Sequence, residues 1–124
     1  MAGKLTPRGQ ARLAALDELL RPVQSVHGLV EHFAAARTGQ PQQAQIIKRT
    51  FSRLKLRFTG AGFDSLAQLA ASLELAAGRS MSQPTKAKIL REGVASMKFQ
   101  LELEHRAVLA EEKVAEKVAP KPDD

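Results

Sequence analysis

The chain has no cysteine, no tryptophan and no tyrosine, and only five of its 124 residues are phenylalanine. The lack of cysteine excludes disulfide bonds and thiolate metal ligands. No segment approaches the roughly 20 apolar residues that a membrane-spanning helix needs. The first ten residues also lack the apolar run of a signal peptide. We therefore expect a soluble, cytoplasmic protein.

Acidic residues are scarce over most of the chain. Residues 1–100 hold 15 Lys or Arg against 6 Asp or Glu, a net charge of +9, whereas residues 101–124 hold 4 against 7, a net charge of −3. The length is sufficient for one domain with a single core. A basic body favours an acidic partner, and the charge alone leaves nucleic acid, an anionic membrane and an acidic protein pocket open.

Apolar residues recur at spacings of three and four, the period of an amphipathic α-helix. Thr6 before Pro7 predicts a helix start, and Pro22 is expected to break or kink that helix. The next helix is expected to end near Arg37, and turns are predicted at 38–43, 59–65 and 78–84, the last with Ser82 as an N-cap. The predicted buried faces are Leu13, Leu16, Leu19 and Leu20; Val23, Val26, Val30 and Phe33; Ala44, Ile47, Phe51, Leu54 and Phe58; Leu66, Leu69, Ala70, Leu73 and Ala77; and Ala87, Leu90, Val94, Met97, Leu101 and Val108.

This pattern predicts an all-α protein, an antiparallel four-helix bundle with a short extra N-terminal helix and an extended C-terminal helix. The predicted organisation is a flexible N-terminus at 1–6, a single bundle at 7–117 and a disordered tail at 118–124.

The stretch FSRLKLRFTGAG, residues 51–62, alternates apolar and basic residues as a strand would, but the wider spacing predicts a helix. On a helical wheel, Ser52 and Leu56 lie one turn apart, outside the core stripe. The cations around them are Lys48, Arg49, Arg53 and Lys55. An apolar residue ringed by cations suits the docking of an acidic surface. The alternative is that Leu56 packs beneath the N-terminal helix and the cations are simply solvated.

The run from Arg49 to Ala77 resembles the core motif of histidine phosphotransfer (HPt) domains. That family is a four-helix bundle whose second helix carries His-x-Leu-Lys-Gly. A further glycine follows ten residues after the histidine, and the next helix reads roughly Leu-x-x-Leu-Ala-x-x-Leu-Glu. The matching positions here are Leu54, Lys55, Gly62, Leu66, Leu69, Ala70, Leu73 and Glu74. A looser resemblance extends over residues 16–105.

Two departures change what this resemblance implies. Ser52 stands where the family has its phosphorylated histidine, and Leu56 stands where it has the following glycine. A serine hydroxyl lacks the nucleophilicity of imidazole at neutral pH. The resemblance therefore implies a non-enzymatic, cofactor-free module that binds a receiver domain or histidine kinase and regulates phosphorelay without carrying phosphate. The contact residues that it implies are Lys48, Arg49, Ser52, Arg53, Lys55, Leu56 and Glu74.

Two other classes of function stay open. A nucleic-acid-binding protein could lay the segment IKRTFSRLKLR along phosphates, although Phe51 and Phe58 belong to the core stripe and would not stack on bases. A helical scaffold could use the C-terminal helix to pair with another copy or to fold back as a lid. The residues considered for that pairing are Leu101, Leu103, Val108 and Val114. The oligomeric state therefore stays open.

The histidines are His27, His32 and His105. His27 and Glu31 are four residues apart and are expected to share a helix face, but two ligands do not make a metal site. A structural or surface role is favoured for all three. The alternative that His32 or His105 is a displaced phosphoacceptor stays open, although neither has the Leu-Lys-Gly context.

Overall fold

A computed structural model describes residues 6–36 and 41–118, with side chains up to Glu111. These residues form four helices and no strand: α1 (Pro7–Ala35), α2 (Pro41–Ala61), α3 (Asp64–Gly78) and α4 (Gln83–Val118). Each helix packs against the next along the chain, and α4 closes the ring against α1. Short connections make successive helices antiparallel. The predicted all-α four-helix bundle is confirmed.

The core runs the length of the bundle and takes its residues from the predicted apolar stripes. Most predicted positions are buried, whereas Leu13, Ala44 and Leu69 are partly buried and Leu20 is 46% exposed. The buried predicted residues are Leu16, Leu19, Val23, Val26, Val30 and Phe33; Ile47, Phe51, Leu54 and Phe58; Leu66, Ala70, Leu73 and Ala77; and Ala87, Leu90, Val94, Met97, Leu101 and Val108. The helical period therefore assigned the buried face of each helix correctly.

Of the predicted break or kink at Pro22, the break does not occur: α1 continues through Pro22, and the expected short N-terminal helix is the first half of α1. Proline inside a helix costs about 3 kcal/mol, because it lacks an N–H group and its ring crowds the preceding turn. Leu19 and Val23 on either side of it are both buried. Burial of each such side chain contributes about 1.5–3 kcal/mol, so the continuous stripe outweighs the local cost.

Several helix ends differ by a few residues from the predictions. The Thr6 hydroxyl accepts a hydrogen bond from the Gly9 amide at 3.1 Å, which confirms it as the N-cap of α1. α1 ends at Ala35 rather than near Arg37, and α2 already begins at Pro41. The predicted turn at 38–43 was therefore wrong at 41–43, since proline suits the first position of a helix. Residues 38–40 lie outside the described residues.

The turn between α2 and α3 is limited to Gly62 and Phe63. Gly62 has φ of 85°, a left-handed conformation that glycine adopts without strain. The Phe63 amide donates to the Phe58 carbonyl at 2.9 Å, and the Gly62 amide donates to the Thr59 carbonyl at 3.1 Å. This pair of bonds is the Schellman motif that ends many helices. It brings α3 directly back along α2.

The α3–α4 connection places Ser82 as predicted. The Ser82 carbonyl accepts from the Lys86 amide at 2.9 Å, and its hydroxyl accepts from the Thr85 amide at 3.4 Å. α4 then continues to Val118, so the predicted tail does not begin at residue 118. Residues 1–5 and 119–124, where flexible ends were predicted, lie outside the described residues.

Candidate partner-binding face on α2 and α3

α2 carries five cations and no carboxylate. Its apolar stripe faces the core, and the charged side chains share the rest of the helix surface with the exposed Ile46 and Leu56. Arg49, Arg53 and Arg57 are exposed, while Lys48 and Lys55 are partly buried at the border with α3. We call this surface, with the adjoining edge of α3, the α2 face. Its residues are Lys48, Arg49, Ser52, Arg53, Lys55, Leu56, Arg57, Glu74 and Leu75.

Leu56 lies at the outermost part of the α2 face. It is two residues from both Leu54 and Phe58, which are buried, and two residues correspond to about 200° around a helix. The Leu56 side chain is accordingly 67% exposed. The alternative in which Leu56 packs beneath the N-terminal helix is therefore wrong.

Ser52 lies one turn before Leu56, on the side of α2 that faces α3. It is partly buried rather than enclosed in the bundle. The position where the HPt resemblance places a phosphorylated histidine is therefore at the surface, beside the exposed leucine.

An ion pair joins the two helices at the edge of this face. The Lys55 Nζ atom lies 3.0 Å from the Glu74 Oε1 atom, and the Glu74 side chain is partly buried. The pKa of the Glu74 carboxyl is lowered, first by the hydrogen bond from Lys55, against the opposing effect of its burial. A hydrogen bond from the Ser52 hydroxyl and the charges of Lys55 and Lys48 lower this pKa further. Glu74 is thus an ionised carboxylate that is already paired with Lys55 and accepts a hydrogen bond from Ser52.

Some charged residues of the α2 face are already paired within the protein and others are not. Lys55 and Glu74 are engaged with each other. The Lys48 side chain lies against the end of α3 at Gly78. It is so close that a Cβ atom at position 78 would be 3.3 Å from the Lys48 Cε atom. Among the described residues, no carboxylate forms an ion pair with Lys48, Arg49, Arg53 or Arg57. These four cations have charge available for a partner.

Leu75 was not predicted as part of this face. It follows Glu74 directly on α3 and is 61% exposed. Like Leu56, it is two residues from buried neighbours on both sides, Leu73 and Ala77. A large apolar residue at that spacing is the sequence signal that could have identified it. The α2 face therefore carries two exposed leucines rather than one.

A shallow groove between α1 and α2 adjoins Leu56. Pro22 and Leu29 line it from α1, and Arg53 and Arg57 line it from α2. The apolar surface beside Leu56 is thus larger than the one side chain, and its border is cationic.

His27 lies on the other side of the bundle, in a groove between α1 and α4. Its Nδ1 atom is 2.8 Å from the Lys98 Nζ atom, and its Nε2 atom is 3.6 Å from the Glu31 Oε1 atom. An ammonium group can only donate, so Nδ1 accepts in the contact with Lys98, and Glu31 lies on the Nε2 side of the ring. The predicted shared face of His27 and Glu31 is confirmed.

Within residues 6–36 and 41–111, no group of three or more His, Cys, Asp or Glu side chains is placed to hold a metal ion. His32 and His105 are both exposed. Within the same described part of the chain, no helix is long and apolar enough to cross a membrane.

No family model, no curated protein and no solved structure matches the chain. The function proposed below therefore rests on the residues of the α2 face and on the motif resemblance.

Proposed function

We propose that this chain is a non-catalytic, HPt-like module that binds a receiver domain or a histidine kinase through the α2 face. The observation that carries the proposal is the environment of Leu56, a fully outward leucine bordered by Arg49, Arg53 and Arg57 on a helix without carboxylates. A receiver domain presents an acidic phosphorylation pocket, so the charges of the two surfaces are complementary.

The chemistry around Ser52 supports binding without phosphate transfer. A serine hydroxyl becomes a nucleophile only when a neighbouring base takes its proton. The neighbouring carboxylate is Glu74, and its pKa is lowered by Lys55 and by Ser52 itself. A carboxylate of lowered pKa is a weaker base than an ordinary one. Ser52 therefore serves as a hydrogen-bond donor on the α2 face rather than as a phosphoacceptor.

The two kinds of residue on the face contribute differently to binding. Burial of Leu56 against a partner supplies affinity, since full burial of a leucine is worth about 1.5–3 kcal/mol. The cations steer the approach of an acidic partner and exclude basic ones, and this effect weakens with salt. We therefore expect the Leu56 contribution to persist at high salt and the arginine contribution to decline.

The proposal is tested by calorimetric titration of the chain with receiver domains from the same organism. The Leu56→Glu and Arg53→Glu variants should each raise the Kd about tenfold, or about 1.4 kcal/mol. Matched controls are Leu20→Glu and Arg21→Glu on α1, a half-exposed leucine and an exposed arginine away from the α2 face. Unchanged binding in both α2 variants would exclude this face, and no binding to any receiver would exclude receiver domains as the partner and leave the histidine kinase to be titrated in the same way.

A second assay separates binding from transfer. The chain is incubated with a receiver domain that carries labelled phosphate on its aspartate. Complex formation should occur with no label on this chain. Acid-labile label on the chain, which would mark a phosphohistidine, would overturn the non-catalytic assignment while leaving the docking face intact.

The five cations of α2 also support a second candidate, the binding of nucleic acid phosphates. Phe51 and Phe58 are both fully buried and cannot stack on bases, so such binding would be electrostatic. A mobility-shift titration over a range of salt concentrations measures it, because phosphate contacts give a steep salt dependence. Binding that tolerates Leu56→Glu but fails with Arg53→Glu would favour nucleic acid over a receiver domain.

A further inference from the structure

α4 has a second apolar stripe on the side opposite the core. Phe99 is two residues from both Met97 and Leu101, which are buried, so it points outward and is 58% exposed. Leu103, one turn later, is 44% exposed, and Ile89 near the start of the helix is also exposed. We call the surface formed by Ile89, Glu92, Phe99, Leu103 and Arg106 the α4 face. Nothing in the described part of the chain covers it.

The charged residues of this face are placed symmetrically about Phe99. Glu92 lies seven residues before Phe99 and Arg106 lies seven residues after it. A spacing of seven returns to nearly the same side of a helix, and seven residues span about 10 Å. An acid, an aromatic ring and a base therefore lie along one line of the helix surface.

This order is self-complementary in only one of the two simple arrangements of paired helices. When two copies of α4 pair antiparallel about a two-fold axis at Phe99, Glu92 of each copy faces Arg106 of the other. A parallel pair in register would instead place Glu92 against Glu92 and Arg106 against Arg106. A two-fold interface brings the same patch together from both subunits, so the apolar stripe and both charges are matched at once.

The side chains are free to make these contacts. Glu92 has no hydrogen bond or ion pair among the described residues. Arg106 lies 3.4 Å from Glu102 on its own helix, and both side chains are highly exposed. An exposed pair of this kind contributes little, so Arg106 can exchange it for a carboxylate on a second copy.

We propose that the α4 face is the interface of an antiparallel, two-fold symmetric homodimer. Phe99 and Leu103 form its apolar centre, and two Glu92–Arg106 ion pairs flank them. The occupant is a second copy of this chain because the face is complementary to itself. Its acid and base exchange places across the two-fold axis, and its apolar residues meet at the centre. This inference is independent of receiver binding, which uses α2.

Sedimentation equilibrium over a range of protein concentrations tests the dimer. The chain should sediment as a reversible dimer, and Phe99→Glu, which places two carboxylates at the axis, should raise the dimer Kd at least tenfold. Leu56→Glu is the matched control, since it makes the same kind of change at an exposed residue of α2 and should leave the dimer unchanged. Circular dichroism establishes that each variant is folded. A chain that stays monomeric at every concentration, or a Leu56→Glu variant that dissociates as readily as Phe99→Glu, would overturn the proposal.

Charge reversal tests the antiparallel order. Glu92→Arg or Arg106→Glu alone converts two attractive pairs into two repulsive ones, and each should weaken the dimer about tenfold. The double variant should regain most of the original affinity. An equimolar mixture of the two single variants should also pair, because each then supplies the charge that the other lacks. Single variants that dimerise as tightly as the original chain would contradict the antiparallel order.

Discussion

The substitution Gly93→Ala measures how closely α3 and α4 approach each other. A Cβ atom on Gly93 would overlap the Leu73 Cδ2 atom and would lie 2.9 Å from Cδ1 and 3.0 Å from Cγ. Leu73 is only 4% exposed, so its side chain cannot turn toward solvent. The added methyl group must therefore displace α3 from α4 or force Leu73 out of its preferred rotamer.

Two effects of opposite sign determine the size of the change. Overpacking a filled core costs about 1–3 kcal/mol. Alanine is about 1 kcal/mol better than glycine inside a helix. Because the methyl group meets three atoms of one confined side chain, we expect the overpacking cost to be larger, with a net loss of about 1–2 kcal/mol. For a chain of this size that corresponds to a decrease of roughly 5 °C in Tm.

Gly28→Ala is the matched control. Gly28 also lies inside a helix, but nothing is within 4 Å of the Cβ atom that it would gain. This variant should be more stable by about 0.5–1 kcal/mol, opposite in sign to Gly93→Ala. Urea denaturation followed by circular dichroism measures both. Stabilisation by Gly93→Ala equal to that of Gly28→Ala would contradict the close approach of α3 and α4.

A second background separates steric overlap from other causes. Leu73→Ala removes the atoms that the new methyl group would meet, and by itself it should cost about 2–5 kcal/mol through the cavity that it leaves. In that background, Gly93→Ala should become neutral or stabilising, because the methyl group then occupies vacated space. The difference between the two backgrounds is the coupling energy of the two positions.

Two further predictions concern the α2–α3 hairpin. Glu74→Gln removes the ion pair with Lys55. Because the pKa of Glu74 is lowered in the folded state, the original chain should be more stable than the variant at neutral pH, and this advantage should be lost as the pH falls through the lowered pKa. Urea titrations at a series of pH values measure the difference in unfolding free energy, and a difference that stays constant down to low pH would contradict the prediction. Gly62→Ala should cost about 1–2 kcal/mol because of its φ of 85°, whereas Gly60→Ala inside α2 should cost nothing; thermal denaturation of both compares them, and the reverse order would contradict the turn.

The core could be predicted from spacing within single helices. Positions such as Phe51, Phe58 and Met97 follow from the 3.6-residue period, which fixes which side of a helix is apolar before its neighbours are known. The exception is Leu20, which was predicted on the core face of a separate short helix. In the continuous α1 it lies at the margin of the stripe that Leu19 and Val23 define, and it is half exposed.

The ion pair at the edge of the α2 face could not be predicted in the same way. Lys55 and Glu74 are 19 residues apart on different helices. Their contact depends on how far α3 slides along α2, which the Gly62 turn sets and which spacing within one helix does not reveal. The same dependence explains why Lys55 was expected to be available to a partner although it is already paired.

The positions of the two proposed faces follow from the order of the helices. α2 and α4 are not neighbours in the ring, since each packs against α1 and α3. Leu56 and Phe99 both point away from the core, so the α2 face and the α4 face lie on opposite sides of the bundle. A dimer formed through α4 would therefore leave both α2 faces uncovered and directed away from the two-fold axis. Such a dimer could engage two partner domains at once, and a partner that is itself dimeric could gain affinity through the effective concentration of the second site.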